Sequence, residues 1–145
     1  MATTTITSAN SILTMIVPGL FPVPVAIQGY STDDAFMLDA LDLAETVMGV
    51  DGRMSAGYVP KEVKLTVTLQ ADSASKDFFA ILTQAVKTAR EVFYMSATLS
   101  LPSTGEAFTF TRGILTSVEQ LPSAKKMLQP QKFVITWESV NRAIL

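Results

Sequence analysis

Acidic residues in the first third of the chain are the first candidates for chemistry. Asp39, Asp42 and Glu45 are spaced three residues apart, so a helix would present their carboxylates on one face to a hard cation such as Ca²⁺. The Asp33-Asp34 pair could also bind a cation, but such a pair is more typical of a solvated turn. No second acidic cluster completes either ligand set. We therefore predict no metal site and no cofactor.

Nucleophilic and acid–base catalysis lack their usual residues. The chain contains neither Cys nor His, which removes thiolate nucleophiles, the common zinc sites and most general bases. Serines are numerous, but nothing in the pattern places Lys64, Lys76 or Lys87 beside one of them as a base. Ser103-Thr104-Gly105 is a turn and lacks the Gly-Lys-Ser/Thr of a phosphate-binding loop. We predict that the protein has no catalytic residues and is not an enzyme.

The size and hydropathy of the chain restrict its class further. Its 145 residues are enough for one hydrophobic core, so we predict a single domain over residues 1–145. The mean hydropathy of +0.34 is high for a soluble monomer. Prolines interrupt the most apolar segment, 12–27, well short of the roughly 20 residues that a membrane helix needs, so no membrane insertion is expected. The apolar surplus fits either a large core or contacts between subunits.

Charge is distributed unevenly along the chain. The formal net charge is -2, which is atypical of a nucleic-acid-binding domain. Residues 1–52 carry six acidic and no basic side chains, whereas residues 53–145 carry all 11 basic ones and the other seven acidic ones. If the two portions lie on different faces, copies of the chain could attract each other head to tail. The alternative is that the two portions neutralise each other within one fold.

The segment 60–92 has the clearest pattern of secondary structure. Apolar residues alternate with polar ones from Val63 to Leu69, which predicts a strand with one buried face. A helical pattern follows, because apolar residues then recur three and four positions apart. The predicted buried face of this helix comprises Phe78, Ile81, Leu82, Ala85, Val86 and Ala89.

The remaining segments predict strands and turns. Pro18–Pro24 must be a turn or an edge strand, because proline cannot donate to a central ladder. Ala35–Met48 is compatible with a helix or with two short strands. We favour strands because Asp51-Gly52 follows, a pair typical of hairpin turns, and we place a hairpin over Leu43–Val59. The residues by themselves predict a small, mainly β domain with one packed helix.

Short, neutral side chains occupy the polar positions of several predicted strands. They could be ordinary solvent-facing residues, but an exposed sheet usually carries more Lys and Glu. A smooth row with little charge would suit a surface along which a large solute slides. The candidate residues are Thr66, Thr68, Gln70, Ser96, Thr98, Thr109 and Thr111.

Taken in order, these segments resemble a known family. The sequence SILTMIV is followed by VAIQGYSTDDAFMLD, the hairpin VMGVDGRMSAGYV, KLTVTLQADSASKDFFAIL, FTFTRGILTSVEQLP and QKFVITWESV. This order resembles the bacteriophage tail tube proteins, in particular the small type of long-tailed, contractile-tailed phages. The resemblance implies an antiparallel β-sandwich or half-barrel with one flanking α-helix. It also implies hexameric rings that stack into a hollow tube, through which genomic DNA enters the host cell.

The resemblance also implies partners and a site. The partner is the chain itself, with a sheath outside the tube, a tape-measure protein and DNA in the lumen, and baseplate and terminator proteins at the ends. The protein would be located in the virion tail after assembly in the host cytoplasm. The neutral row above would contribute to the lumen. The hairpin would contact the next ring or a neighbour, and its acidic portion would meet a basic surface that includes Lys125, Lys126 or Arg112. The resulting interface candidates are Asp42, Glu45, Asp51, Gly52, Arg53, Tyr58, Lys125 and Lys126.

Three other functions stay open at this point. The first is the ring-forming inner tube of a bacterial contractile injection or secretion system, which would have the same architecture and handle proteins instead of DNA. The second is a small lipocalin-like or carbohydrate-binding β-barrel, which predicts a monomer with an aromatic-lined pocket. The third is an enzyme that works without Cys or His.

Overall fold

The computed structural model describes residues 11–27, 36–102, 104–121 and 124–144. The predicted turn at Asp33-Asp34 lies outside these residues, as does Ser103 of the predicted turn after the seventh strand. Strands predominate in the described part, with a single helix. The elements are β1 (Ile12–Val17), β2 (Phe21–Ile27), β3 (Phe36–Leu38), β4 (Ala44–Met48), β5 (Met54–Tyr58), β6 (Val63–Leu69), α1 (Lys76–Ala89), β7 (Met95–Leu101), β8 (Glu106–Val118) and β9 (Gln131–Ile144).

Seven strands form one antiparallel sheet and two form a separate hairpin. The order in the large sheet is β2-β1-β7-β8-β9-β6-β3, and β4 pairs only with β5. This architecture confirms the predicted mainly β fold with one flanking helix. It also confirms two short strands, β3 and β4, in place of a helix over the described part of this segment, 36–48. The prolines lie where predicted, since Pro22 and Pro24 are in the edge strand β2.

One face of the large sheet carries the core. In β6 the side chains of Val63, Leu65 and Val67 are buried, as the alternating pattern predicts. The neighbouring strand β9 buries Phe133, Ile135 and Trp137 on the same face. Strands β1, β7 and β8 contribute further apolar side chains to this cluster. Burial of such large side chains stabilises the sheet by roughly 1.5–3 kcal/mol for each of them.

Helix α1 covers this core through a face that largely matches the predicted one. Phe78, Phe79 and Leu82 are buried, and the Phe79 ring stacks on Phe133 with centroids 4.3 Å apart. Of the predicted face, Ile81 and Ala89 are exposed, Ile81 by 50%. The prediction was wrong for these two residues and omitted Phe79. Turning two adjacent phenylalanines inward buries more apolar surface than turning the isoleucine inward.

The end of α1 is strained. Arg90 caps the helix in the left-handed conformation (φ 56°) and donates its N–H to the Val86 carbonyl. This conformation costs a residue with a Cβ about 1–2 kcal/mol, whereas it costs glycine nothing of the kind.

We expect Arg90→Gly to raise the free energy of unfolding by about 0.5–1 kcal/mol, once the larger loss of backbone entropy by glycine is subtracted. Urea unfolding monitored by circular dichroism measures the change. Arg90→Lys, which keeps the charge and the Cβ, should leave the midpoint unchanged. A destabilised glycine variant would contradict the argument.

Near the middle of β8 the regular alternation of its side chains between the two faces of the sheet is interrupted. Phe110 and Gly113 both face the core although three positions separate them, and the intervening Arg112 has a φ of 50°. Gly113 lies against the ring of buried Trp137, its partner on β9. The register between β7 and β8 shifts at this point, so the strand is irregular at Gly113, a residue type common at such bulges. None of the described helices is long and apolar enough to cross a membrane.

Candidate assembly interface

The β4–β5 hairpin is the most exposed part of the described chain. Its ladder runs from the pair Ala44–Tyr58 to the pair Met48–Met54. Every residue from 37 to 58 is exposed, so the described part of the subunit buries no side chain of this arm. Two short strands are marginally stable by themselves in water. The arm is therefore a surface that gains stability when something covers it.

The turn of the hairpin is well defined. The N–H of Gly49 donates to the carbonyl of Arg53 at 2.8 Å, and the N–H of Arg53 donates to Oδ1 of Asp51 at 3.1 Å. Gly52 has a φ of 82°, which a glycine adopts without steric cost. The predicted Asp51-Gly52 turn is thus present. It holds Val50 at the tip, where that side chain is fully exposed.

A cation from the same chain lies at the base of the hairpin. Nζ of Lys61 is 3.7 Å from a carboxylate oxygen of Asp42 and 3.9 Å from one of Glu45. With the segment extended, Asp39 does not share a helical face with these two acids. Within the described ranges no three acidic residues are grouped as a metal site. Asp42 and Glu45 thus share the ammonium group of Lys61 at the base of the arm.

The arm combines its acidic residues with large apolar ones. Tyr58 is 77% exposed, and apolar side chains surround the turn on both strands. Sequence reasoning singled out the charged residues of this hairpin and missed the apolar ones. The signal was present, since a hairpin with apolar residues on both faces has more apolar surface than one core can cover. The exposed apolar residues are Leu43, Val47, Met48, Val50 and Met54.

The loop between β8 and β9 is the second exposed apolar surface. It carries Lys125 and Lys126, both exposed, next to Met127, which is 77% exposed, and Leu128. With the turn that precedes α1, this loop borders an open groove of about 560 Å³. The lining residues are Gln70, Ala71, Asp72, Met127, Leu128 and Pro130. A basic, methionine-containing surface thus lies on a different part of the subunit from the acidic arm.

The face of the large sheet opposite the core is neutral over β1, β7 and β8. Thr14 of β1 lies opposite Thr98 of β7, and Thr98 lies opposite Thr109 of β8. Thr109 in turn lies opposite Asn141 of β9. Side chains of directly opposed residues share a face, so the four form one row across four strands. The structure thereby brings together two of the predicted lumen residues.

Two more lumen candidates extend this neutral face. Ser96 lies opposite Ile16, and Thr111 lies opposite Ser139. Both candidates are exposed. Like the threonine row, they present short side chains without charge.

The lumen candidates on β6 do not join this row. Thr68 is only 5% exposed, as part of a run in which Val67, Thr68 and Leu69 are all buried. Three consecutive buried residues mean that both faces of the sheet are covered at this end of β6, so Thr68 departs from the prediction of an open face. Gln70 lies beyond the end of β6 and lines the loop groove. Thr66 is half-buried opposite Met37 and Val134.

Two pairs of charged side chains lie on β8 and β9 outside the threonine row. Nη1 of Arg112 is 3.8 Å from Glu138, and its guanidinium lies over the Tyr94 ring, 4.5 Å from the centroid. At the other end of β8, Arg142 donates to Glu106 at 2.9 Å. This hydrogen bond, together with the negative charge of Glu106, raises the pKa of Arg142 above its ordinary value. The guanidinium thus stays charged near neutrality.

A family model described as tail fiber protein gp32 matches residues 4–141. The chain belongs to this family. A comparison of the gp32-family chain with curated protein sequences gave no match. The matched region contains the helix, the exposed arm, the loop groove and every strand except the last three residues of β9.

Solved structures show the fold of this gp32-family chain. A chain of an extracellular contractile injection system, the PVC sheath–tube complex in its extended state, superposes with a TM-score of 0.62 at 11% identity, over 97% of this chain and 93% of that one. A chain of the cap that terminates the tube of the anti-feeding prophage gives 0.59 at 12% identity, over 100% and 95%. A chain of the PVC sheath/tube terminator gives 0.58 at 10% identity, over 99% and 99%.

Family and fold agree with the resemblance drawn from the sequence. The family model describes a tail protein. The fold is shared with chains from structures of a sheath–tube complex, a tube-terminating cap and a sheath/tube terminator. The prediction of a phage tail tube-type protein is confirmed at this level. The protein is a structural, tail-related one.

Proposed function

We propose that the gp32-family chain is a subunit of a phage tail tube, in which hexameric rings stack into a hollow conduit for genomic DNA. The observation that carries this proposal is the exposed β4–β5 arm. It presents apolar and acidic side chains that its own subunit leaves uncovered, as expected of a surface completed by another copy. In this proposal the protein binds other copies of itself and has no catalytic role.

Sheet edges support assembly within a ring. In the described residues, β2 and β3 lie at the two ends of the large sheet, each with one side unpaired. Unpaired strand edges are templates for further pairing, and a closed ring of sheets removes them. The two edges differ in sequence, so contacts between them are head to tail and generate a ring when the rotation closes.

The neutral face supports a role as the lumen wall. Thr14, Thr98, Thr109 and Asn141 form a row without charge. A basic wall would hold DNA by many phosphate contacts, whereas a neutral wall lets it slide. Ser96 and Thr111 extend the same face. In this arrangement helix α1 faces outwards, where a sheath would contact the tube.

The proposed partners follow from this arrangement. They are further copies of the chain, a sheath outside the tube, a tape-measure protein and DNA within it, and baseplate and terminator proteins at the ends. The proposed location is the virion tail, after assembly in the host cytoplasm. Solved structures with the same fold come from sheath–tube, terminator and baseplate particles, which supports a place among such components.

A second candidate is the inner tube of a bacterial contractile injection system. The observation that favours it is that the superposed structures belong to such systems. The genes that flank the coding sequence decide between the two. Neighbouring capsid and packaging genes support a phage tail, and neighbouring effector genes without a capsid support an injection system.

Charge reversal at the turn of the arm tests the interface. We expect Asp51→Lys and Arg53→Glu each to reduce tube formation strongly while the monomer stays folded, because both side chains are exposed in the subunit and become paired in the tube. Negative-stain electron microscopy measures tubes, and circular dichroism measures folding.

Two controls accompany the reversal. Asp51→Asn keeps an oxygen that accepts the N–H of Arg53, so it separates the charge from the turn geometry. Glu91→Lys reverses an exposed charge outside the arm and should leave tubes intact. Normal tubes from both arm variants would remove the arm from the interface.

A further inference from the structure

We infer that the tip of the hairpin arm of one copy inserts Val50 into the loop groove of another copy, between Met127–Leu128 and the turn before α1. This inference rests on the proposed function and adds the receptor site for the arm. The tip and the groove are different surfaces of one chain. Contacts between them do not close on a pair of subunits and propagate from copy to copy.

The tip is prepared for insertion. Val50 is fully exposed, so it does not occupy the groove of its own subunit. Its backbone is held by the hydrogen bond between Gly49 and Arg53 and by the carboxylate of Asp51. A preorganised loop loses little conformational entropy on binding, so more of the contact energy appears as affinity.

The groove has the size and the surface to accept the tip. Its volume of about 560 Å³ is that of a typical ligand pocket and accommodates several side chains. Met127 and Leu128 supply apolar walls, and a methionine side chain adapts to irregular partners. Insertion of Val50 would cover apolar surface on both copies, which is the main source of binding energy in such contacts.

Charges near the two surfaces are of opposite sign. Asp51 directly follows Val50 at the tip, and the exposed Lys125 and Lys126 directly precede Met127 of the groove. Arg53 also lies in the turn of the arm, and Asp72 is one of the residues that line the groove. Such complementarity of charge favours the contact and its specificity.

Cysteine cross-linking tests this contact, because the chain has no cysteine of its own. Purified Val50→Cys and Leu128→Cys proteins are mixed and oxidised mildly, and products are separated without reductant. We expect covalent dimers that contain one copy of each variant. The double variant V50C/L128C should give a ladder of higher oligomers.

A matched control uses Ile81→Cys on helix α1, since Ile81 and Leu128 are exposed to similar extents, 50% and 57%. Docking raises the effective concentration of the paired thiols, so the V50C and L128C mixture should cross-link at least roughly tenfold faster than the V50C and I81C mixture. Lys126→Glu should slow the reaction, and Asp51→Lys added to the partner should restore it.

The outcomes separate this inference from the proposed function. Tubes in electron microscopy without faster V50C–L128C cross-linking would overturn the groove contact and leave the tube proposal standing. Failure of concentrated protein to associate at all would overturn both. Faster V50C–L128C cross-linking that Lys126→Glu slows, and that Asp51→Lys in the partner restores, supports both.

Discussion

Replacing Gly113 by alanine is expected to lower the free energy of unfolding by about 3 kcal/mol or more. A Cβ at this position would lie 2.2 Å from Cε3 of Trp137 and 2.5 Å from its Cζ3. The tryptophan is buried in the core beside Phe110, with ring centroids 5.2 Å apart, and closely packed core side chains resist displacement. Urea unfolding followed by tryptophan fluorescence reports on this site directly, since Trp137 is the one tryptophan in the chain.

Gly57 provides the matched control for this substitution. It lies in β5, and a Cβ built there meets no atom within 4 Å. Gly57→Ala should therefore change the free energy of unfolding by less than about 1 kcal/mol. If the two alanine variants unfold at the same urea concentration, the close packing of Gly113 against Trp137 does not limit stability.

Removal of the hairpin arm is expected to abolish tube assembly and leave the domain folded. Residues 45–57 would be replaced by a short Gly-Ser linker between Ala44 and Tyr58, which are cross-strand partners. None of the deleted side chains is buried, so the core loses no packing. The pair between Lys61 and Glu45 is lost, but such exposed ion pairs contribute only about 0–1 kcal/mol. We expect a urea midpoint close to that of the parent and no tubes in electron microscopy.

The control for the arm deletion is a variant that loses exposed apolar surface outside the arm. Val92→Ser fits, because Val92 is half exposed and lies outside the arm. It should form tubes like the parent protein. Tubes of normal diameter from the protein without its arm would show that the arm is not the assembly contact. Unfolding of that protein would show instead that the arm stabilises the subunit.

Local patterns in the sequence determined most of the secondary structure. Strand β6 follows from the alternation between Val63 and Leu69, the hairpin turn from Asp51-Gly52, and the edge position of β2 from its prolines. Each of these features depends on residues close together in the chain: a period of two, a positive φ or a missing N–H. The order of these segments also sufficed to identify the class of tail protein.

Tertiary structure alone decided which surfaces are covered and which residues meet. The pattern of α1 placed Ile81 in the core, whereas the structure exposes it and buries Phe79, which stacks on Phe133. Thr68 has the type and the spacing of an exposed strand residue, yet it is buried. Gly113 is required by a tryptophan 24 positions away. Periodicity describes a single element, whereas burial depends on the partners that long-range pairing brings to it.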